Sequence, residues 1–158
     1  MHAVIASRLD YSNSLFMNIC KDHLLKLQKL QNSAARLILE RRRYESASEA
    51  IRELHWLNVE QRITFKTILI VYKAVRGLCS DNINLKFVDG RRGNSLMLET
   101  PNAKTKHGKR IFAYNGSRLW NAIPIEIKLI EDIDIFKQRL KTLLFKNFEK
   151  LKLKAFPS

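Results

Sequence analysis

Between Lys21 and Arg43 the sequence KDHLLKLQKLQNSAARLILERRR contains no glycine or proline. Leu24, Leu27, Leu30, Ala34, Leu37 and Ile38 recur at steps of three and four residues. At about 3.6 residues per turn that spacing gathers them into one apolar stripe of a helix. Two more segments carry the same period. In NVEQRITFKTILIVYKAVRG, residues 58–77, apolar side chains cover most of the helical circumference, as suits a largely buried helix. Asn58 and Gln61 have capping-box spacing, and Gly77 is placed to stop the helix. In DIDIFKQRLKTLLFKNFEK, residues 132–150, Phe136, Leu140, Leu143, Leu144 and Phe148 form one stripe, and Asp132 or Asp134 can cap its start. A shorter helix is expected over 46–56, with Ser46 and Glu49 again in capping-box spacing. Such stripes must be buried against one another. The expected fold class is therefore mainly α, a small helical bundle with a short β or irregular insertion and a C-terminal helical piece.

The insertion is residues 78–110, which hold three of the five glycines, one proline and no helical period. Within it NSLMLET, residues 94–100, reads as a short strand. The expected organisation is a helical bundle over 1–77, a basic linker or short hairpin over 78–110, and a helical extension over 111–158. There is no internal repeat. In the extension, IFAYNGSRLWNAIP, residues 111–124, mixes aromatic and small polar residues. Gly116 and Ser117 suit a helix start and Pro124 a position just past its end, so a short helix is expected over 117–122. Leu119, Trp120 and Ile123 can share a face, and Trp120 is read as a core anchor, the alternative being a base-stacking platform.

Charge is the strongest indication of partners. The chain of 158 residues has 29 Lys and Arg against 15 Asp and Glu, a net charge of +14. Such a balance points to phosphates, acidic membrane surfaces or acidic proteins. It is also patterned. Residues 21–43, 86–110 and 137–154 each hold seven basic residues, against two, two and one acidic, whereas 44–60 and 124–136 each hold four acidic and one basic. The first residues, MHAVIASRLDYSNSLF, carry Arg8 and Asp10 inside an apolar run, which fits neither a signal peptide nor a membrane span. With only Cys20 and Cys79, the expected setting is intracellular, in nucleus or cytoplasm, with no membrane partner.

Few residues suggest catalysis. Glu131, Asp132 and Asp134 form one close acidic group, which helix capping explains. Neither a nucleophile elbow nor a glycine-rich phosphate loop is present. Cys20 and His23 have metal-ligand spacing that His55 and Cys79 could complete, but no second paired motif exists, so both cysteines are read as small buried hydrophobes and no cofactor or metal is expected. The basic blocks carry more. Arg41, Arg42 and Arg43 follow a helix end, where either the helix dipole or a phosphate accounts for them. Arg91, Arg92, Lys104, Lys106, Lys109 and Arg110 lie in the insertion beside glycines, as phosphate-backbone contacts do. These nine residues are the candidate nucleic-acid-binding set.

Several strings occur in a fixed order: SRLDYSNSL (7–15), LLKLQKLQNSAARLIL (24–39), IRELHWLNVEQRITFKTILIVYKAVRGL (51–78), GSRLWNAIP (116–124) and FKQRLKTLLF (136–145). Together they resemble the C-terminal region of the reverse transcriptases of jockey-like non-LTR retrotransposons, over residues 2 to about 148. That family has Cys where Ser12 stands and Pro where Asn58 stands, and Asn58 can still cap. The resemblance implies a thumb and adjoining C-terminal extension that hold the template–primer duplex, with RNA and DNA as partners. It also implies that the chain is not itself an enzyme. The family's catalytic aspartates lie in an aromatic-x-Asp-Asp motif of the palm, and this chain contains no Asp-Asp pair. Met1-His2-Ala3 falls inside a helix that is continuous in the family, which implies a start within a truncated element copy. Two other readings follow: a protein-interaction fragment that packs on a missing polymerase palm, or a relic without function.

Overall fold

Six α-helices lie among the residues that the computed structural model describes, namely 20–79, 83, 85–88, 96–105, 108 and 111–156. They are α1 (Lys21–Ile38), α2 (Ala47–Glu53), α3 (Val59–Val75), α4 (Phe112–Ala122), α5 (Ile125–Lys128) and α6 (Ile133–Ala155). The fold is mainly α and bundle-like. Among the described residues the β content is a single antiparallel bridge between Phe87 and Leu98. The chain gathers into two compact units that part inside α3, one up to Ile63 and one from Thr64.

In the first unit, Ala35 of α1, Ala50 of α2 and Trp56 form a small core with Ala34, Ile38, Leu39, Ile51 and Leu54 packed against it. Two glutamines of α1 tie this core to the start of α3. Gln31 is buried and donates to the Leu57 carbonyl at 2.8 Å, while Gln28 accepts from the Val59 N–H at 2.9 Å. The Asn58–Gln61 capping box forms as expected, with Gln61 N–H on Asn58 Oδ1 at 2.8 Å and Asn58 N–H on Gln61 Oε1 at 3.0 Å. Gln28, Asn58 and Gln61 thus satisfy N–H groups that a helix start leaves without intrahelical partners.

The helix ends correct two expectations. α1 stops at Ile38, not Arg43, and α2 stops at Glu53, not Trp56. Each closes with a residue in the left-handed region, Glu40 and His55, both at φ 52°. Arg41 N–H then reaches the Arg36 carbonyl at 2.8 Å and Trp56 N–H the Ile51 carbonyl at 2.9 Å. Gly77, at φ 67°, ends α3 in the same way, with Leu78 N–H on the Lys73 carbonyl at 2.8 Å. All three are Schellman closures, but only the third uses the residue that a left-handed cap favours.

In the second unit, Tyr72, Trp120, Phe136, Ile68, Leu119, Leu140 and Leu144 are buried almost completely. Tyr72 stacks on Phe136 with ring centres 4.0 Å apart, and Trp120 lies 6.5 Å from Phe136. Trp120 is thus the expected core anchor. Its surroundings correct the reading of Gly116 and Ser117, which lie inside α4 and not at its start. A Cβ on Gly116 would come within 2.9 Å of Val71 Cγ2, so glycine is what lets α4 approach α3 this closely. α6 begins at the expected Asp132 cap, whose Oδ1 accepts from the N–H groups of Asp134 and Ile135 at 2.8 Å each. It continues past residue 150 to Ala155, with a kink at Asn147, because Leu151 and Ala155 extend its buried face.

Two substitutions test these assignments with opposite signs. Gly116→Ala, which helix propensity alone would favour by about 1 kcal/mol, is expected to destabilise by about 1–3 kcal/mol through overpacking against Val71. His55→Gly is expected to stabilise by roughly 1 kcal/mol, because it removes a left-handed non-glycine residue from a cap. Denaturant unfolding of each variant measures both.

Candidate nucleic-acid interface

The arginines at the end of α1 do not act alike. Arg41 is turned to α2, where its guanidinium pairs with Glu53 at 2.5 Å and Glu49 at 3.7 Å. That is a tie between helices, and it occupies the charge. Arg42 is exposed and donates to the Tyr44 hydroxyl at 2.9 Å. Arg43 is exposed, with no hydrogen bond or ion pair among the described residues. Arg36, one turn earlier, donates to the Glu45 carbonyl at 3.0 Å. Of the arginine triplet, Arg42 and Arg43 therefore present charge to solvent.

Of the insertion candidates, Arg91, Arg92, Lys106, Lys109 and Arg110 lie outside the described residues. Lys104 is exposed. The described part of the insertion, within the second unit, is held by α4. Asn121 uses both ends of its amide on Leu98, accepting from its N–H at 2.9 Å and donating to its carbonyl at 2.8 Å. Trp120 Nε1 donates to the Leu96 carbonyl at 2.8 Å. Leu98 is buried, and its flanks pair across the bridge, Val88 N–H to Met97 at 2.9 Å and Glu99 N–H to Lys86 at 2.8 Å. A side-chain amide thus replaces a neighbouring strand for Leu98. Lys86 and Lys104 leave this anchored stretch exposed at either side.

Of the described helices, α6 carries the most exposed Lys and Arg. Arg139, Lys141, Lys146 and Lys150 are exposed and form no ion pair among the described residues. Arg139 and Lys146 are seven residues apart, two turns, and so share a face before the kink. Buried Phe136, Leu140, Leu144, Phe148 and Leu151 fix the opposite side of the helix in the core, so this charge must face water or a partner. Only Asp134 and Glu149 are acidic on α6, and Asp134 is taken by Lys137 at 2.8 Å.

Arg76 and Arg118 count toward the net charge but serve the fold. Arg76 donates to the carbonyls of Lys128, Leu129 and Ile130 at the end of α5, at 3.2–3.4 Å. Arg118 donates to the Ala155 carbonyl at 2.6 Å, closing α6, and also to the Tyr114 hydroxyl. Its guanidinium lies over the Tyr114 and Phe156 rings. Both use a planar set of donors to satisfy carbonyls that helix ends leave open. No sequence signal separates these two from the surface cations, since the carbonyls they serve lie far along the chain.

The acidic group at 131–134 is also structural. Asp132 caps α6, Asp134 pairs with Lys137, and Glu131 lies 3.9 Å from Arg76. Among the described residues no three His, Cys, Asp or Glu gather as a metal site. No described helix is long and apolar enough to cross a membrane. Cys79 is half-buried, but Cys20 is exposed and 3.8 Å from Asp22 Oδ2, which corrects its reading as a buried packing residue. It directly precedes α1. No protein-family model, curated protein or solved structure matches the chain.

The position of Cys20 is directly testable. In native buffer a thiol reagent such as 5,5′-dithiobis(2-nitrobenzoate) should modify Cys20 at the rate of an accessible thiol. Protection of both cysteines until denaturant is added would contradict its placement.

Proposed function

We propose that the chain is a non-catalytic, nucleic-acid-binding region that corresponds to the thumb and C-terminal extension of a jockey-like non-LTR retrotransposon reverse transcriptase. Its partners are RNA and DNA as a template–primer duplex, held with low sequence specificity in an intracellular setting. The observation that carries this reading is the set of exposed cations on α6, Arg139, Lys141, Lys146 and Lys150, which form no ion pair among the described residues and lie off the buried apolar face of the helix. Arg42, Arg43 and Lys104 add exposed cations, and Arg91, Arg92, Lys106, Lys109 and Arg110 belong to the same proposed set by sequence. Contacts of lysine and arginine to the phosphate backbone carry no sequence information, which fits a low specificity.

A second reading has support of its own. Leu30 and Leu37 of the expected α1 stripe are not buried but, like Leu25, more than half exposed, which suits a surface that docks on another protein, the polymerase palm in this family. The two readings are compatible, because a thumb contacts both.

Fluorescence anisotropy with a labelled RNA–DNA hybrid separates binding from its absence. If about six phosphates are neutralised, log affinity should fall against log salt with a slope near −5 on duplex DNA and less steeply on single strands. Replacing Arg139, Lys141, Lys146 and Lys150 together by Gln should flatten that slope while changing stability little, by about 0.5 kcal/mol or less per exposed site. Salt-independent binding, or none at low salt from folded protein, would leave the protein-docking reading in its place.

A further inference from the structure

Between α1 and α2 the chain turns through Arg42, Arg43, Tyr44 and Glu45, and the turn is braced. Glu45 N–H closes it on the Arg42 carbonyl at 3.1 Å, and the Glu45 carboxylate accepts from the Arg42 N–H at 2.8 Å. Arg36 of α1 then donates to the Glu45 carbonyl at 3.0 Å. Arg43 and Tyr44 are the two corner residues of this turn, and both are exposed. Tyr44 is 78% exposed, and its hydroxyl accepts from the Arg42 guanidinium at 2.9 Å. That bond holds the ring at its rim. Among the described residues no ring or cation lies over its faces. The other described tyrosines are covered: Tyr72 is buried against Phe136, and Tyr114 lies under the Arg118 guanidinium. Glu45 is the only acidic residue of 41–48, and its carboxylate already serves the Arg42 N–H. The Tyr44 ring thus takes no part in a core, yet a fixed turn presents it to solvent beside two exposed arginines.

We propose that Tyr44 is a stacking platform for one unpaired nucleic-acid base, with Arg42 and Arg43 holding the phosphates beside it. The inference rests on the nucleic-acid reading above and adds to it a site for single-stranded segments. A ring face accepts any base, but a base inside a duplex has both faces taken by its neighbours. Cations beside such a ring track the backbone and give the binding its salt dependence. Arg42 uses one guanidinium donor on Tyr44, so the rest of its fork remains for phosphate oxygens. The same bond limits rotation of the ring, which leaves less to be ordered on binding. The site lies wholly in the first unit and does not depend on the cations of α6.

Fluorescence anisotropy of the full chain with two labelled strands of equal length isolates the ring. One strand is an oligothymidylate, and the other an abasic oligomer that carries the same phosphates without bases. The oligothymidylate should bind more tightly, and Tyr44→Ala should cut that preference by at least about fivefold, the low end for loss of one base–aromatic contact. Tyr44→Phe, which keeps both faces, should retain the preference within about twofold. Affinity of Tyr44→Ala for a duplex of the same length should stay within about twofold of the unsubstituted chain. Arg42→Gln with Arg43→Gln should instead weaken both strands alike and flatten the single-strand salt slope by about 1.4. No preference in the unsubstituted chain, or an unchanged one in folded Tyr44→Ala, would overturn the platform and leave the nucleic-acid reading standing. So would equal losses in Tyr44→Phe and Tyr44→Ala, or equal losses on single strand and duplex. Absence of binding to any of these probes at low salt, from folded protein, would overturn both.

Discussion

Phe136 lies between Tyr72 and Trp120, and the second unit is arranged around that contact. All three rings are sealed from water, so each is committed to one position. Aromatic contacts of this kind contribute about 0.5–1.5 kcal/mol beyond the area they bury. Their polar edges then set what surrounds them. The Tyr72 hydroxyl donates within reach of the carbonyls of Ile130, at 3.1 Å, and Glu131, at 2.5 Å. That fixes the chain just before Asp132, the residue that caps α6. On the other side the Trp120 indole N–H holds Leu96, and Asn121 beside it holds Leu98. Gly116, one turn earlier on α4, admits the close approach to Val71 that brings these groups together.

Features that depend on neighbours along the chain were legible beforehand. The Asn58–Gln61 pair, the Asp132 cap and the stripe Phe136–Leu140–Leu144 all follow from spacing within a few residues, and all form. Trp120 was legible as a core residue for the same reason. What escaped depends on partners elsewhere in the sequence. Gly116 reads as a helix start until Val71 is placed against it. Gln28 and Gln31 carry no sequence signal of their roles, which are to serve Val59 and Leu57. Glu40 and His55 end helices although neither is glycine, because the packing of Ile38 and Leu39 beside Glu40, and of Leu54 and Trp56 beside His55, offsets a local cost of about 1–2 kcal/mol. For the interface, the excess of positive charge was plain, but the division of labour within it was not.

That division follows from side-chain chemistry. Arg36, Arg41, Arg76 and Arg118 each hold a carbonyl or carboxylate, a task that suits a planar group with several fixed donors. Most described lysines remain exposed, as suits compact, strongly hydrated charges. Net charge alone therefore overstates the number of cations free for a partner. It also explains why the sequence-level candidate set includes Arg41, whose charge α2 already occupies. The cations left over are concentrated on α6 and, by sequence, in the insertion.

Lysine-reactive footprinting of the whole chain, with and without an RNA–DNA hybrid at low salt, tests the proposed interface most directly. Acetylation read by mass spectrometry reports each amine separately. Protection is expected at Lys141, Lys146, Lys150 and Lys104, with Lys21, Lys26 and Lys29 of α1 labelled equally in both samples. Protection confined to the α1 lysines, or none under conditions where the hybrid is bound, would contradict the account.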